Sequence, residues 1–395
     1  MLRRVARRRL ARRIRAPTAS VSFASTTSKT AHDALRIGIV GLGSIGTIFF
    51  ARLVQAAQER ATSVDVHVTG FVKSHHIAQL QQQQQIVLCQ PNANGDADVS
   101  APLTTIGLTN AKHVEDQLRG DCFTIRSLET SIAPGLSANE PLDAVFVTVK
   151  AYDTPSVLQK LKSLPSVLAK DAVIVLLQNG LGDVPSNSGA SGTDARQWSY
   201  SNGVTFVGGK VVAPGRVLVS GLDKGQTFIS LPALVPGGTR ERLVQAMAAT
   251  GLHFDVVDAA TMQAILWKKL IVNAAINPIA SLLDATNQSV AATKWSRQCV
   301  QAIVREAHAV AASESVDLGL TQQEMVDAVL RVATATGTNV CSMLADLRKG
   351  SRTEISAISG KIVEYGKKHG IATPTNEFVL AMIKAREASL SGREQ

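Results

Sequence analysis

No apolar run in the chain approaches the about 18 to 20 residues needed to span a bilayer. The richest stretch, residues 264–283, is interrupted by Lys268, Lys269, Asn273 and Asn277, which excludes a transmembrane helix. Cysteine is scarce and scattered: Cys89, Cys122, Cys299 and Cys341 form no C-x-x-C pair. That argues against a disulfide framework or a metal site and fits reduced thiols. Acidic residues are missing from residues 1–32, which hold eight arginines and Lys29 and so carry +9 of the chain's net +10. The remaining +1 is too little for an electrostatic footprint on nucleic acid. At 395 residues, 45% hydrophobic and 18% charged, the chain can bury a sizeable core and has the length of two domains.

Within the leader, Leu2, Ala6, Leu10 and Ile14 recur every four residues among the arginines, followed by Ser/Thr-rich sequence up to Thr30. This is the composition of a mitochondrial transit peptide, with cleavage expected between Phe23 and Ser28. A nucleic-acid-binding arm or a membrane-surface helix has a similar composition. A terminal, acid-free stretch ahead of a complete domain favours import. The expected location is the mitochondrial matrix, or the cytoplasm should the leader not act, with neither a nucleic-acid partner nor membrane insertion.

Residues 36–41 make a short apolar run, and Ile45, Phe49, Leu53 and Ala57 then follow a helical period, which reads as strand, tight turn, helix. Further strands are expected at residues 64–72, 142–149 and 172–177. Strands alternating with helical segments imply a mainly parallel, doubly wound sheet. The glutamine tract at residues 81–85, the stretch from Pro91 and the Ser/Gly-rich loop from Pro185 to Thr193 read as surface decoration. Short runs at residues 211–215 and 228–232 suggest strands that complete the sheet. From Ala259 onward the period is helical. The expected division is a leader at 1–32, a dinucleotide-binding domain at 34–258 and an all-helical domain at 259–395.

The strongest local motif is Gly41-Leu42-Gly43-Ser44-Ile45-Gly46, because it ends a strand and opens a helix. Its glycines permit the tight turn, the approach of a pyrophosphate to the backbone, and close packing of helix on strand. The second strand lacks the acidic residue that would bind a ribose 2′-hydroxyl and ends instead in Lys73, a cation suited to a 2′-phosphate, so NADPH is expected. Lys150 and Asn179 close two other strands, on the edge where open α/β sheets bind ligands. Asn179-Gly180 also suits a turn. In the helix from about residue 261, Lys269, Asn273 and Asn277 recur at i, i+4 and i+8 among apolar neighbours. Such a stripe can face solvent, but with little other exposed surface beside it, it is expected to line a cleft, where a lysine can give a proton to a ketone oxygen. Ser351 and Glu354 fit a capping box and read as a helix start.

Taken together, the glycine fingerprint, Val147-Thr-Val-Lys150, Gln178-Asn-Gly180, Trp267-Lys-Lys through Asn277-Pro278, and Ser342-Met-Leu through Arg352-Thr-Glu354 resemble the 2-dehydropantoate 2-reductase (ketopantoate reductase) family. The motifs occur in order across residues 36–388. The resemblance implies an N-terminal Rossmann-type sheet and a helical C-terminal domain of the 6-phosphogluconate dehydrogenase type. It implies NADPH-dependent reduction of 2-dehydropantoate to (R)-pantoate, toward pantothenate and coenzyme A, with a small keto acid as the partner and a homodimer left open. Lys269 would be the general acid, and Glu354 would assist at the substrate and also contact the cofactor. Asn273, Asn277 and Ser342 would hold substrate oxygens, Lys150 and Asn179 would contact cofactor and substrate, and Lys73 would read the 2′-phosphate. The rivals are a related NAD(P)-dependent 2-keto or 3-hydroxy acid dehydrogenase and a non-catalytic NADPH-binding sensor.

Overall fold

The apolar run after Ala34 forms β1 (Leu35–Val40), in which only Arg36 is not fully buried, as expected of a strand covered on both faces of a parallel sheet. A computed structural model describes residues 34–391 apart from 93–96, 99–101, 109–111, 114–116, 129–140, 183–197 and 223–224. The expected transit peptide and the Ser/Gly-rich loop therefore lie outside the described residues. Five further strands, β2 (Val66–Val72), β3 (Phe123–Ser127), β4 (Leu142–Val147), β5 (Leu168–Leu176) and β6 (Ser199–Thr205), run parallel to β1. Their spatial order is β3-β2-β1-β4-β5-β6, which is the dinucleotide-binding order with its switch point between β1 and β4. β7 (Thr227–Ile229) pairs antiparallel with β6 and parallel with β8 (Phe254–Val256), extending that edge.

The helix α1 (Ser44–Gln58) crosses from β1 to β2 and buries Ile48, Phe49, Phe50 and Leu53 against the sheet. Phe49 meets Phe146 at 5.8 Å and Phe50 meets Phe123 edge-on at 5.9 Å between centroids, so the helix is fixed on β3 and β4 by aromatic contacts.

Two expectations are corrected here. The glutamine tract is not loose decoration: residues 81–83 finish the helix Ser74–Gln83, Gln84 takes the left-handed conformation at φ 55°, and Gln85 begins the strand Gln85–Pro91. The run at 211–215 does not complete the main sheet. It belongs to a hairpin of Gly208–Ala213 and Arg216–Ser220 that joins Gln85–Pro91 and Thr104–Gly107 in a second, smaller sheet.

Beyond β8 the chain is helical. Asp258 caps α2 (Ala259–Leu282), its carboxylate accepting from the Thr261 N–H at 2.8 Å and the Thr261 hydroxyl at 2.9 Å. Leu270, Ile271 and Ala274 of α2 pack with Val300, Ile303 and Val304 of α3 (Lys294–Ser313) in one apolar core. That core also takes residues from α4 (Gln322–Ala335), α5 (Ser342–Arg348), α6 (Ser359–Lys368) and α7 (Pro374–Ser391). The buried Glu306 carboxylate accepts from the Thr375 and Asn376 N–H groups at 2.9 and 3.0 Å. An anion there offsets the positive end of α7. Among the described residues no helix is long and apolar enough to cross a membrane.

Candidate active site

The loop after β1 is shaped by what its glycines leave out. Gly41 sits at φ 92°, where a Cβ would lie 2.6 Å from Val149 Cγ1, and a Cβ on Gly46 would lie 2.1 Å from the Gly41 carbonyl and 2.4 Å from Thr148 Oγ1. The Thr148 hydroxyl lies 2.7 Å from that same carbonyl, tying the loop to the end of β4. Gly43 differs: a Cβ there meets nothing within 4 Å. It is the N-cap of α1, without a side-chain acceptor and without an acidic residue in the first turn. The first N–H groups of α1 thus have no capping side chain at the positive end of the helix, and the space beside Gly43 is open, which fits a pyrophosphate. Leu42 and Ile45 pack against the sheet core, and Ser44 opens the helix. β1 and β2 run in register with Val40 opposite Phe71, so Lys73, exposed just past β2, leaves the sheet on the same edge as the glycine loop.

Past β4 and β5 a polar cluster joins the sheet to the helical layer. Lys150 donates to Asp346 Oδ2 at 2.6 Å and stands 3.6 Å from Glu354 Oε2. Burial alone would lower the Lys150 pKa, but the Glu354 and Asp346 carboxylates outweigh it and hold the ammonium above its ordinary value. Asp346 is pushed up by burial, with Lys150 pulling the other way. Glu354, 6% exposed, accepts from the Ala151 N–H at 3.0 Å and from the Asn179 amide at 3.1 Å. The capping-box expectation fails here. Glu354 turns into the cluster rather than back to Ser351, a 3-10 turn follows at Ile355–Ala357, and the next α-helix starts only at Ser359.

The polar stripe of α2 faces inward. Lys269 and Asn273 are half-buried and Asn277 is 7% exposed. Among the described residues the Asn273 and Asn277 amides have no hydrogen-bond partner. The Lys269 ammonium donates to the Thr205 carbonyl at 2.9 Å and lies 5.8 Å from the Phe206 ring centroid. Burial lowers its pKa from 10.5 to about 8, partly opposed by the nearby Glu354 carboxylate. Ser342 is exposed at the start of α5. Its neighbour Cys341, the N-cap, donates through Sγ to the Asn277 carbonyl at 3.6 Å, which ties Ser342 to the stripe.

Lys150, Asn179, Glu354 and Lys269 are thus brought into electrostatic or hydrogen-bonding reach of one another, with Lys73 and the glycine loop on the same sheet edge. Three participants escaped the sequence reading: Asp346, Thr148 and Phe206. Asp346 carried a signal, since it lies four residues after Ser342 and shares its face of α5. A cavity of about 410 Å³ lined by Leu181, Asn202, Leu266, Trp267 and Tyr365 opens beside α2, but neither Lys269 nor Glu354 lines it, and the polar cluster is the better candidate on chemical grounds.

A nucleotide-type glycine loop, a half-buried lysine and a buried carboxylate at one sheet edge invite comparison with known proteins. The profile of the family described as Ketopantoate reductase PanE/ApbA matches residues 37–232, and that of its C-terminal domain matches residues 261–387. The chain belongs to the ketopantoate reductase family. Among its relatives, the 2-dehydropantoate 2-reductase of Pyrobaculum aerophilum is 31% identical over 69% of this chain and 84% of its own length. That of Archaeoglobus fulgidus is 30% identical over 64% and 80%. Among solved structures, a D-mandelate dehydrogenase with NADH and anilino(oxo)acetate has a TM-score of 0.67 at 22% identity, covering 90% of this chain and 99% of that one. A dimeric ketopantoate reductase from Staphylococcus aureus has a TM-score of 0.63 at 18% identity, covering 90% and 100%. These last two likenesses show a shared fold: a Rossmann-type sheet followed by an all-α region.

Proposed function

We propose that the protein reduces 2-dehydropantoate to (R)-pantoate with NADPH, a product that would feed coenzyme A synthesis. The observation that carries the reading is the place of Lys269: its ammonium rests 2.9 Å from the Thr205 carbonyl, within electrostatic reach of Glu354 and with its pKa lowered by burial to about 8, on a helical stripe with the unengaged Asn273 and Asn277 amides. A group poised near working pH suits proton transfer in both directions. A nicotinamide cofactor held at the glycine loop would supply the hydride for the C2 carbonyl carbon. Lys269 gives its Nζ proton to the carbonyl oxygen, becomes neutral, and regains a proton from water. Asn273, Asn277 and Ser342 hold the carboxylate and hydroxyl oxygens. Glu354 keeps Lys269 cationic and, with Asn179 and Lys150, orders the cleft floor next to the cofactor. Lys73 meets the 2′-phosphate.

Support for the cofactor comes from Lys73 and from the absence of an acidic residue at the end of β2. The D-mandelate dehydrogenase of similar fold was solved with NADH, so cofactor preference and substrate are tested together. NADPH and NADH oxidation by purified protein lacking residues 1–32 is followed with 2-dehydropantoate, pyruvate and phenylglyoxylate. Preference for NADPH and 2-dehydropantoate supports the reading, and preference for another pair makes the protein a different keto acid dehydrogenase. A non-catalytic NADPH sensor would have no use for an internal proton donor and would oxidise neither cofactor.

The basic leader is proposed as a mitochondrial import signal, tested by loss of import with retained activity on its deletion. Assembly as a homodimer is proposed by analogy with the dimeric Staphylococcus aureus protein and is read by sedimentation.

A further inference from the structure

Phe206 is a large aromatic side chain left 44% exposed at the carboxyl end of β6, the edge where the candidate site lies. Its place is rigid. The Phe206 N–H donates to the Gln226 carbonyl at 2.9 Å, and its ring stands edge-on to Phe228, 6.3 Å between centroids and 87° between planes. The residue before it, Thr205, supplies the carbonyl that holds the Lys269 ammonium, and the ring centroid is 5.8 Å from the same Nζ.

A keto acid whose carbonyl oxygen replaces Thr205 as the partner of Lys269 would sit about 3 Å from Nζ. Its two ends must then point to different surfaces. Asn273 and Asn277 lie one and two turns along α2 from Lys269, and their amides have donors for a carboxylate. The Phe206 ring offers no donor and has a negative face, which repels a carboxylate and accepts hydrocarbon. We propose that Phe206 is the specificity-determining residue for the carbon chain, packing against the C3 substituent and selecting 2-keto acids that are branched and apolar at C3 over small or doubly charged ones. This inference rests on the keto acid reductase reading and deepens it.

The test compares kcat/KM for 2-dehydropantoate, 3-methyl-2-oxobutanoate and pyruvate in wild type, Phe206→Ala, Phe206→Leu and Phe206→Tyr, with thermal melting of each. A methyl-sized contact in an apolar pocket is worth roughly ten- to a hundredfold in discrimination. Phe206→Ala should therefore lose about that factor on the two branched substrates, chiefly through KM, with pyruvate little changed. Phe206→Tyr, which keeps the ring, should retain the wild-type ranking. Phe206→Leu, which keeps apolar bulk at the strand end, should fall between and covers the case in which the alanine variant unfolds. An equal loss on all three substrates, or an unchanged ranking in folded Phe206→Ala and Phe206→Leu, overturns the proposal while leaving keto acid reduction intact. A wild type that reduces none of the three removes the parent reading, and this one with it.

Discussion

The Asn179 side-chain amide donates to the Glu354 carboxylate at 3.1 Å although 175 residues of chain separate them. The exit of β5 is thereby fixed to the segment that leads into α6, and Glu354 is held by groups from two strand ends, Ala151 and Asn179.

Glu354→Ala should be destabilising as well as inactivating. It strips the acceptor from one N–H and one amide, both half-buried, so each loss should cost at most roughly 1 to 3 kcal/mol, the range for fully buried groups. Glu354→Gln keeps an oxygen for one of them and should recover part of the stability but not the activity, because the negative charge facing Lys150 and Lys269 is gone. Urea unfolding alongside steady-state kinetics separates the two effects. Equal stability of both variants with wild type would remove Glu354 from the structural role.

Lys269→Ala should reduce kcat by about 10²-fold or more with the fold and cofactor binding intact. Lys268→Ala, a neighbour about 100° round the helix, should stay near normal. The pH profile adds a sign. The depressed pKa near 8 means that the proton-bearing form prevails below about pH 8 and is lost above it. The reductive kcat/KM should be level below that point and fall about tenfold per pH unit above it. A reductive rate that climbs through pH 8 would contradict Lys269 as the acid.

Gly43→Ala and Gly46→Ala should part company. A Cβ at Gly43 meets no protein atom within 4 Å, so that variant should melt like wild type yet bind nucleotide weakly, its methyl lying where phosphate belongs. A Cβ at Gly46 meets the Gly41 carbonyl at 2.1 Å, so that variant should lose stability too. Thermal melting with and without NADPH decides it. If Gly43→Ala binds nucleotide normally, the pyrophosphate does not approach there.

Lys73→Ala should raise the apparent KM for NADPH by about ten- to a hundredfold, the worth of a charged hydrogen bond of roughly 1.5 to 3 kcal/mol, and barely touch NADH. Parallel loss with both cofactors would assign Lys73 to the fold instead.

Much of this was legible in the sequence because it follows local periods. Residues 144–147 of β4 and 172–176 of β5 are apolar runs ahead of a polar loop, and β1 is one apart from Arg36, while Lys269, Asn273 and Asn277 share a face by helical spacing alone. By contrast, β3 (Phe123–Ser127) and β6 (Ser199–Thr205) mix Thr, Arg, Ser and Asn into the strand and carried no such signal. What escaped depends on partners distant in sequence. Ser351 and Glu354 satisfy a local pattern, yet Glu354 finds a stronger set of donors at Ala151 and Asn179. The hairpin at residues 208–220 pairs Arg216 with Val87, a register that no local signal specifies. In the glutamine tract, burial of Leu80 and Ile86 on either side settles helix and strand where composition suggested a loop. The importance of Phe206 depends on where Lys269 reaches, 64 residues away from Thr205.

That reach has a consequence for how the protein can drift. The acceptor holding Lys269 is a main-chain carbonyl, which every amino acid possesses, so no side-chain replacement at position 205 deletes it. The resting position of the proton donor is therefore insulated from single substitutions at its anchor. Phe206, one residue on and half in solvent, has no such protection. Substrate preference can wander at 206 across a lineage while the acid stays in place.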